Sequence, residues 1–204
     1  MKILSTPIAA LHQALVFERR AQVLAKRLSA LMPAGASTLD VGCGDGTIAS
    51  LILLQRPDIS IKGIDVLVRA ETKIRVDPFD GEHLPCGDKT FDVVSFIDVL
   101  HHTKNPAVLL KEAKRVARSI VVLKDHTMDG ILAYQTLRFM DWVGNASHGV
   151  ALPYNYWPEA KWRLTFEAVG LRIVQWQPKL GLYPFPISLI FERQLHFIAT
   201  LGTE

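Results

Sequence analysis

The chain has 204 residues, 49% of them hydrophobic and 21% charged, with 23 basic and 20 acidic side chains for a formal net charge of +3. This composition is globular and excludes a disordered chain, and the length allows one well-buried core. The small basic excess, with no dense Lys/Arg run, argues against a nucleic-acid backbone as partner.

Residues 7–32 read as a helix: Leu11, Leu15, Leu24, Leu28 and Leu31 form an apolar stripe, Glu18, Arg19, Arg20, Lys26 and Arg27 its polar side, and Pro33 and Gly35 stop it. Short apolar runs follow at 38–43, 59–66, 74–76, 91–97, 120–124 and 171–175. Helical stretches are expected at 46–55, 106–117, 131–143 and 158–169, the last with Trp157, Ala160, Leu164 and Ala168 toward the core and Gly170 as its C-cap. Strands alternating with helices imply an α/β fold, a doubly wound and mainly parallel sheet. The final run, 195–201, has no helix before it and is expected as an antiparallel last strand. No linker splits the chain, so residues 1–204 are expected as one domain, with 1–34 as an N-terminal helical segment.

Cys43 and Cys86 are too few for a disulfide framework, so reduced thiols and a cytoplasmic protein are expected. The start of the chain lacks a secretory pattern, and Pro184 and Pro186 break the most apolar tract, 181–190. No stable membrane insertion is expected.

In doubly wound sheets ligands bind just beyond the carboxyl ends of the strands. The sharpest signal lies there: Leu39-Asp40-Val41-Gly42-Cys43-Gly44-Asp45-Gly46-Thr47. Gly42 and Gly44 can adopt backbone angles closed to other residues and let a ligand approach the main chain. The following helix points free N–H groups at the same place, and Asp40 at the strand end can receive a cationic group. A nicotinamide-binding turn would read G-x-G-x-x-G; here the third glycine, Gly46, falls one residue early and position 47 is Thr. A second strand ends in Asp65, about twenty residues after the turn, where a ribose-diol acceptor belongs.

This spacing resembles the class I S-adenosylmethionine-dependent methyltransferases of small-molecule type, the broad branch that includes ubiquinone and menaquinone biosynthesis enzymes. Phe79-Asp80-Gly81-Glu82-His83-Leu84-Pro85 followed by Phe91-Asp92-Val93-Val94 is similar to the family's D-A-E-x-L-P-F…F-D-V-V stretch. Ser95-Phe96-Ile97-Asp98-Val99-Leu100-His101-His102 is similar to its S-x-x-V-L-H-H segment, and 106–117 to its P-x-x-x-L-x-E-x-x-R-V helix, with Glu112 and Arg115 in place. The resemblance implies a Rossmann-like sheet and S-adenosyl-L-methionine as cofactor. It implies cofactor contacts from Asp40, Gly42, Cys43, Gly44 and Gly46, with Asp65 on the ribose hydroxyls, Val66 against the adenine, Asp80 and Gly81 at the adenine amino group, and the Ile97 main chain on the methionine amino group. It also implies that residues 126–158 form an insertion on the substrate side.

Two departures stand out. Only about seven residues separate the second strand from Ile74, fewer than a parallel crossover helix requires, so the family's second crossover helix is expected to be shortened or absent. The usual K-P-G-G turn before the fifth strand is replaced by Ala117-Arg118-Ser119.

Methyl transfer needs an aligned nucleophile and, for an acidic acceptor, a proton acceptor. Candidates are His101, His102, Asp98 and His126, with Asp125 beside them, because strands four and five bring their ends to one rim. Aromatic and polar residues Trp142, Asn145, His148, Tyr154, Tyr156 and Trp157, together with apolar residues 180–191, imply a small, partly apolar acceptor of lipid- or quinone-like kind. Neither a metal nor nucleic acid is expected. Two other functions share the pattern: a cofactor-binding partner protein without turnover, and a nicotinamide-dependent oxidoreductase, which the glycine spacing disfavours.

Overall fold

The computed structural model describes residues 7–145 and 152–204; His148 and the side chains of Leu11 and Leu15 lie outside the described residues. In chain order the elements are α1 (Pro7–Ser29), β1 (Ser37–Val41), α2 (Thr47–Gln55), β2 (Ser60–Asp65), β3 (Val76–Pro78), β4 (Phe91–Ile97), a 3-10 turn (Leu100–His102), α3 (Pro106–Val116), β5 (Ala117–His126), α4 (Ala133–Asn145), α5 (Glu159–Ala168), β6 (Arg172–Gln177), α6 (Ser188–Phe191) and β7 (His196–Gly202). Except for the 3-10 turn and α6, the latter standing where no helix was expected before the last strand, these boundaries fall within a few residues of the sequence reading.

The strands form one seven-stranded sheet in the order β3-β2-β1-β4-β5-β7-β6. β1, β2, β3, β4 and β5 pair in parallel, and β7 runs antiparallel to both β5 and β6, as the final apolar run implied. Leu39, Val41, Val93, Val94, Phe96, Val121, Val122 and Leu123 of the central strands have almost no solvent contact. Helices cover both faces, so these strands are apolar on both sides rather than alternating. One face packs Leu109, Leu110 and Val116 of α3 with Trp162 and Phe166 of α5. The other packs Leu24 and Leu28 of α1 with Ile52 of α2, Leu180 and Leu182. The order in which successive strands are added reverses between the parallel neighbours β1 and β4, which opens a crevice at their carboxyl ends.

Asn105 caps α3 by accepting from the Ala107 N–H at 3.2 Å, with Pro106 at the first helical position. α3 then runs directly into β5 at Ala117, where the family's glycine turn would stand. No helix lies between β2 and β3; the Gly63 N–H donates instead to the Arg75 carbonyl at 3.0 Å, and β3 is only Val76–Pro78. None of the described helices is long and apolar enough to cross a membrane.

Two sequence expectations are corrected. α5 buries Trp162 and Phe166, whereas Ala160, Leu164 and Ala168 face solvent. The reason is Trp162: its indole N–H donates to the His126 carbonyl at 2.9 Å, which turns its side of the helix inward. Arg20, expected on the polar side of α1, is half-buried and reaches Asp98 at the end of β4.

Trp162→Ala should therefore cost about 3–5 kcal/mol of stability, while Leu164→Ala, at 66% exposure, should stay within about 0.5 kcal/mol. Denaturant unfolding of the two variants checks the ranking; equal losses would restore the original face.

Candidate functional site

The glycine turn is anchored to β2. The N–H groups of Gly42 and Cys43 donate to the Ile64 carbonyl at 2.7 and 3.3 Å, and Gly46 N–H to the Cys43 carbonyl at 2.9 Å. Gly42, Gly44 and Gly46 all have left-handed backbones, with φ of 72, 61 and 76°. The protein's own packing excludes a side chain at two of them: a Cβ on Gly42 would lie 2.6 Å from Val99, and one on Gly46 would lie 2.5 Å from Ile74. Above Gly44 the nearest atom is the flexible end of the Arg69 side chain at 3.5 Å, an ordinary van der Waals contact, so of the three glycines only Gly44 has room for a side chain.

Asp65 closes the turn. One oxygen accepts the Gly44 N–H at 2.8 Å and the other the Leu67 N–H at 2.8 Å. Val66 beyond it is exposed, and a Cβ on Gly81 would come within 3.1 Å of Val66, so Val66 and the Asp80–Gly81 corner adjoin. Asp80 is exposed and accepts the Glu82 and His83 N–H groups at 2.8 and 2.7 Å, and the bonds from His83 and Glu82 hold its carboxyl down to about 2. Asp40, buried behind the turn, accepts from Ser95 Oγ at 2.8 Å. Burial pushes its carboxyl up to about 7, the Ser95 bond offsetting part of this and the Asp65 charge adding to it. Cys43 packs its sulfur where a Gly63 side chain would stand, and burial raises its thiol.

Across the crevice the ends of β4, β5 and β7 gather charge. Asp98, with φ of 59°, takes Arg20 from α1 and Lys124 from β5, and lies 3.3 Å from His126 Nε2. Burial opposes its charge, but Lys124 and then Arg20 outweigh it and hold the carboxyl well below its usual range. Lys124 has no solvent contact and lies 3.4 Å from His196 Nδ1; burial lowers its pKa despite Asp98. Burial, then the Lys124 charge, push His126 well below its ordinary value.

His101 Nδ1 lies 2.7 Å from Asp125 Oδ1, and its Nε2 lies 3.6 Å from Asp141 Oδ1 on α4. Burial disfavours its charge, yet Asp125 and Asp141 raise it to about 10. His102 is lowered by burial and by the His101 charge. Its side chain keeps 18% exposure, and its Nδ1 has no hydrogen-bond partner among the described residues. The four candidates converge: the His101 ring lies 4.1 Å from His102 and 4.8 Å from His126, and His126 touches Asp98.

A family model described as a methyltransferase domain matches residues 13–176. The chain belongs to the methyltransferase-domain family. It is 31% identical over 110 residues to 27-O-demethylrifamycin SV methyltransferase of Amycolatopsis mediterranei (strain S699), a match covering 47% of this chain and 40% of that enzyme. The chain thus spans well under two thirds of that curated relative. Its fold matches a Haloferax volcanii protein solved in complex with the Trm112 methyltransferase activator, with a TM-score of 0.67, 17% identity, and coverage of 91% of this chain and 90% of that one. A SAM-dependent methyltransferase from Aquifex aeolicus matches with a TM-score of 0.60 and 19% identity, covering 88% of each chain.

Membership implies S-adenosylmethionine as cofactor, and the residues present fit it: main chain at Gly44 covered only by the movable end of Arg69, an acid at the end of β2, an exposed apolar edge at Val66 and a buried acid behind the turn. Several groups around the methyltransferase crevice escaped the sequence reading, namely Arg20, Lys124, Asp141 and His196. Only Lys124 carried a local signal, a charge at the end of an apolar strand run. Trp157, read both as core-facing and among the substrate-side aromatics, belongs to the main core, its ring 4.8 Å from Trp162.

Gly42→Ala and Gly46→Ala should each destabilise the fold more than Gly44→Ala, which carries only the left-handed strain of roughly 1–2 kcal/mol. Urea titration of the three variants reads the order; an equal loss at all three would mean that packing does not distinguish them.

Asp40 has a folded-state pKa above its unfolded value, so its contribution to stability is fully present below about pH 4 and is lost as pH rises through about 7. Asp40→Asn keeps an acceptor for Ser95 and removes the charge. The ligand-free variant should lose less stability than the parent between pH 5 and pH 8, and parallel losses would show that Asp40 does not titrate in this range.

Proposed function

We propose that the chain transfers a methyl group from S-adenosylmethionine to a hydroxyl or similarly acidic group on a small, partly apolar acceptor. The observation that carries this reading is the two-sided crevice, with Gly44 and Asp65 on one side and the His101–His102–Asp98–His126 rim on the other.

S-adenosylmethionine supplies a methyl already activated on a sulfonium, so the chain has to orient two partners, exclude water and handle one proton. Asp65 uses one lone pair of each oxygen on the main chain and retains others for the ribose hydroxyls. Val66, Asp80 and Gly81 border the adenine. Gly42, Cys43, Gly44 and Gly46 form the turn that carries the ligand, and Asp40 and the Ile97 main chain face its cationic methionine end. Asp98, locked between Arg20 and Lys124, positions the rim, as do His101 between its two acids and His126. His102, uncharged and open at one edge, is the residue through which an acceptor hydroxyl loses its proton.

Residues 126–158 form the acceptor side. α4 and Tyr154 border an open groove of about 420 Å³ lined by Tyr134, Gln135, Arg138, Phe139 and Trp142. Arg138 lies 4.7 Å above the Tyr154 ring. Exposed Phe185, Leu189 and Ile190 add apolar surface from the α6 region. Such walls suit an apolar body of lipid- or quinone-like kind. A relative whose named acceptor is a demethylrifamycin supports a small-molecule acceptor, and the net charge of +3 disfavours nucleic acid.

Labelled cofactor offered with total RNA, DNA, protein and an organic-soluble extract should deliver methyl to the organic fraction. Asp65→Ala should weaken cofactor binding at least about tenfold in calorimetry, whereas Trp142→Ala should raise the acceptor KM and leave cofactor affinity unchanged. Label confined to nucleic acid, or full cofactor affinity in Asp65→Ala, would overturn the reading.

A further inference from the structure

His101, His102 and Asp141 come together from different parts of the chain: the 3-10 turn after β4 supplies the two histidines, and α4 supplies the acid. Both His101 Nε2 and His102 Nε2 lie 3.6 Å from the same oxygen, Asp141 Oδ1. That distance is beyond hydrogen-bond reach. It is close to the span between two donors that each sit about 2.0–2.1 Å from one ion. All three ligand atoms lie within 4.8 Å of one another, a spacing that one ion can bridge.

The outer atoms of two of these groups are already held in the orientation a metal ligand needs. His101 Nδ1 is held by Asp125 Oδ1 at 2.7 Å, which turns Nε2 toward the centre. Asp125 is fixed in turn by the Leu100 and His126 N–H groups at 3.0 and 2.8 Å. The Tyr156 hydroxyl donates to Asp141 Oδ2 at 2.8 Å and its ring stacks on His101 at 5.6 Å, while Oδ1 is the oxygen that faces both imidazoles. A carboxylate behind a ligating imidazole and a donor behind a ligating carboxylate are the outer contacts that tune metal sites. Two buried acids, Asp125 and Asp141, also concentrate negative charge around one histidine.

We infer that His101, His102 and Asp141 form a binding site for a divalent transition cation of the zinc type. Two imidazoles and one carboxylate suit such an ion better than magnesium or calcium, and three protein ligands leave a position for water or an acceptor oxygen. Resting on the methyl-transfer reading, the ion defines how His102 acts: its lone pair holds the cation, and the cation holds the acceptor hydroxyl. The bound hydroxyl gives its proton to water because the ion stabilises the resulting oxyanion. That oxygen forms the new bond to the methyl carbon as the carbon–sulfur bond breaks, its electron pair staying on sulfur. The ion also ties α4, which borders the acceptor groove, to the sheet end.

The test uses the full chain, treated with a chelator and titrated with Co(II), then with Zn(II) in competition. One equivalent of Co(II) should bind with the intense visible bands of a low-coordinate site, and Zn(II) should displace it. His102→Ala, at the open edge, and Asp141→Asn should abolish the bands; Tyr156→Phe should weaken affinity about tenfold through the outer contact. Circular dichroism keeps a misfolded variant from counting as a loss. Absent binding, or bands unchanged in both His102→Ala and Asp141→Asn, would overturn the site and leave the cluster as a proton-carrying ion-pair network. A metal-stripped chain that still binds cofactor and transfers methyl at the full rate would remove the ion's role in the reaction and leave the methyl-transfer reading intact.

Discussion

Lys124 stands at the end of β5 without solvent contact, and a buried ammonium is tolerable only beside an anion. Asp98 supplies it, and because Asp98 also takes Arg20, one carboxylate joins α1, β4 and β5 at the carboxyl edge of the sheet. The left-handed backbone at Asp98 follows from this demand: the residue must leave β4 and turn back toward two cations at once. The placement of His126 and His196 depends on the same cluster, since both rings border the Lys124–Asp98 pair. Removing either partner would strand a buried charge, a more damaging change than losing the pair as a whole.

The two sides of the crevice are built by different physics. On the glycine side the turn is held by neutral main-chain bonds to Ile64 and by Asp65, and its shape is enforced by Val99 and Ile74 pressing on Gly42 and Gly46. The acids on that side, Asp40, Asp65 and Asp80, accept from the Ser95 hydroxyl or from main-chain N–H groups rather than from buried cations. On the opposite side nearly every contact is between ionisable groups whose states depend on one another, as His101 between Asp125 and Asp141 illustrates. A turn held by main-chain bonds thus stands beside a rim held by mutually dependent charges.

The short link between β2 and β3 shows how a reduced connection can still serve the site. With no crossover helix available, Ile74 packs on the turn at Gly46, the Lys73 N–H donates to the Asp45 carbonyl at 2.7 Å, and Arg69 extends over Gly44. Side chains of the link take over the covering that a helix would provide, and they leave Val66, Leu67 and Val68 exposed beyond the end of β2.

The sequence by itself determined what depends on contiguous residues. The alternation of apolar runs and helices, the three left-handed glycines, the acid at the end of β2, the missing crossover helix and the antiparallel last strand are all local consequences of side-chain period, backbone sterics and chain length. The approach of His101, His102 and Asp98 was also legible, because they follow one strand within a few residues. Tertiary structure alone decided which charges meet: Arg20 reaches Asp98 across 78 residues and Lys124 across 26. It likewise decided that α5 turns Trp162 inward and that Asp141 faces the histidines. Such pairings are set by sheet register and helix rotation, and no local pattern encodes them, because an ion pair constrains the distance between its charges and says nothing about their separation along the chain.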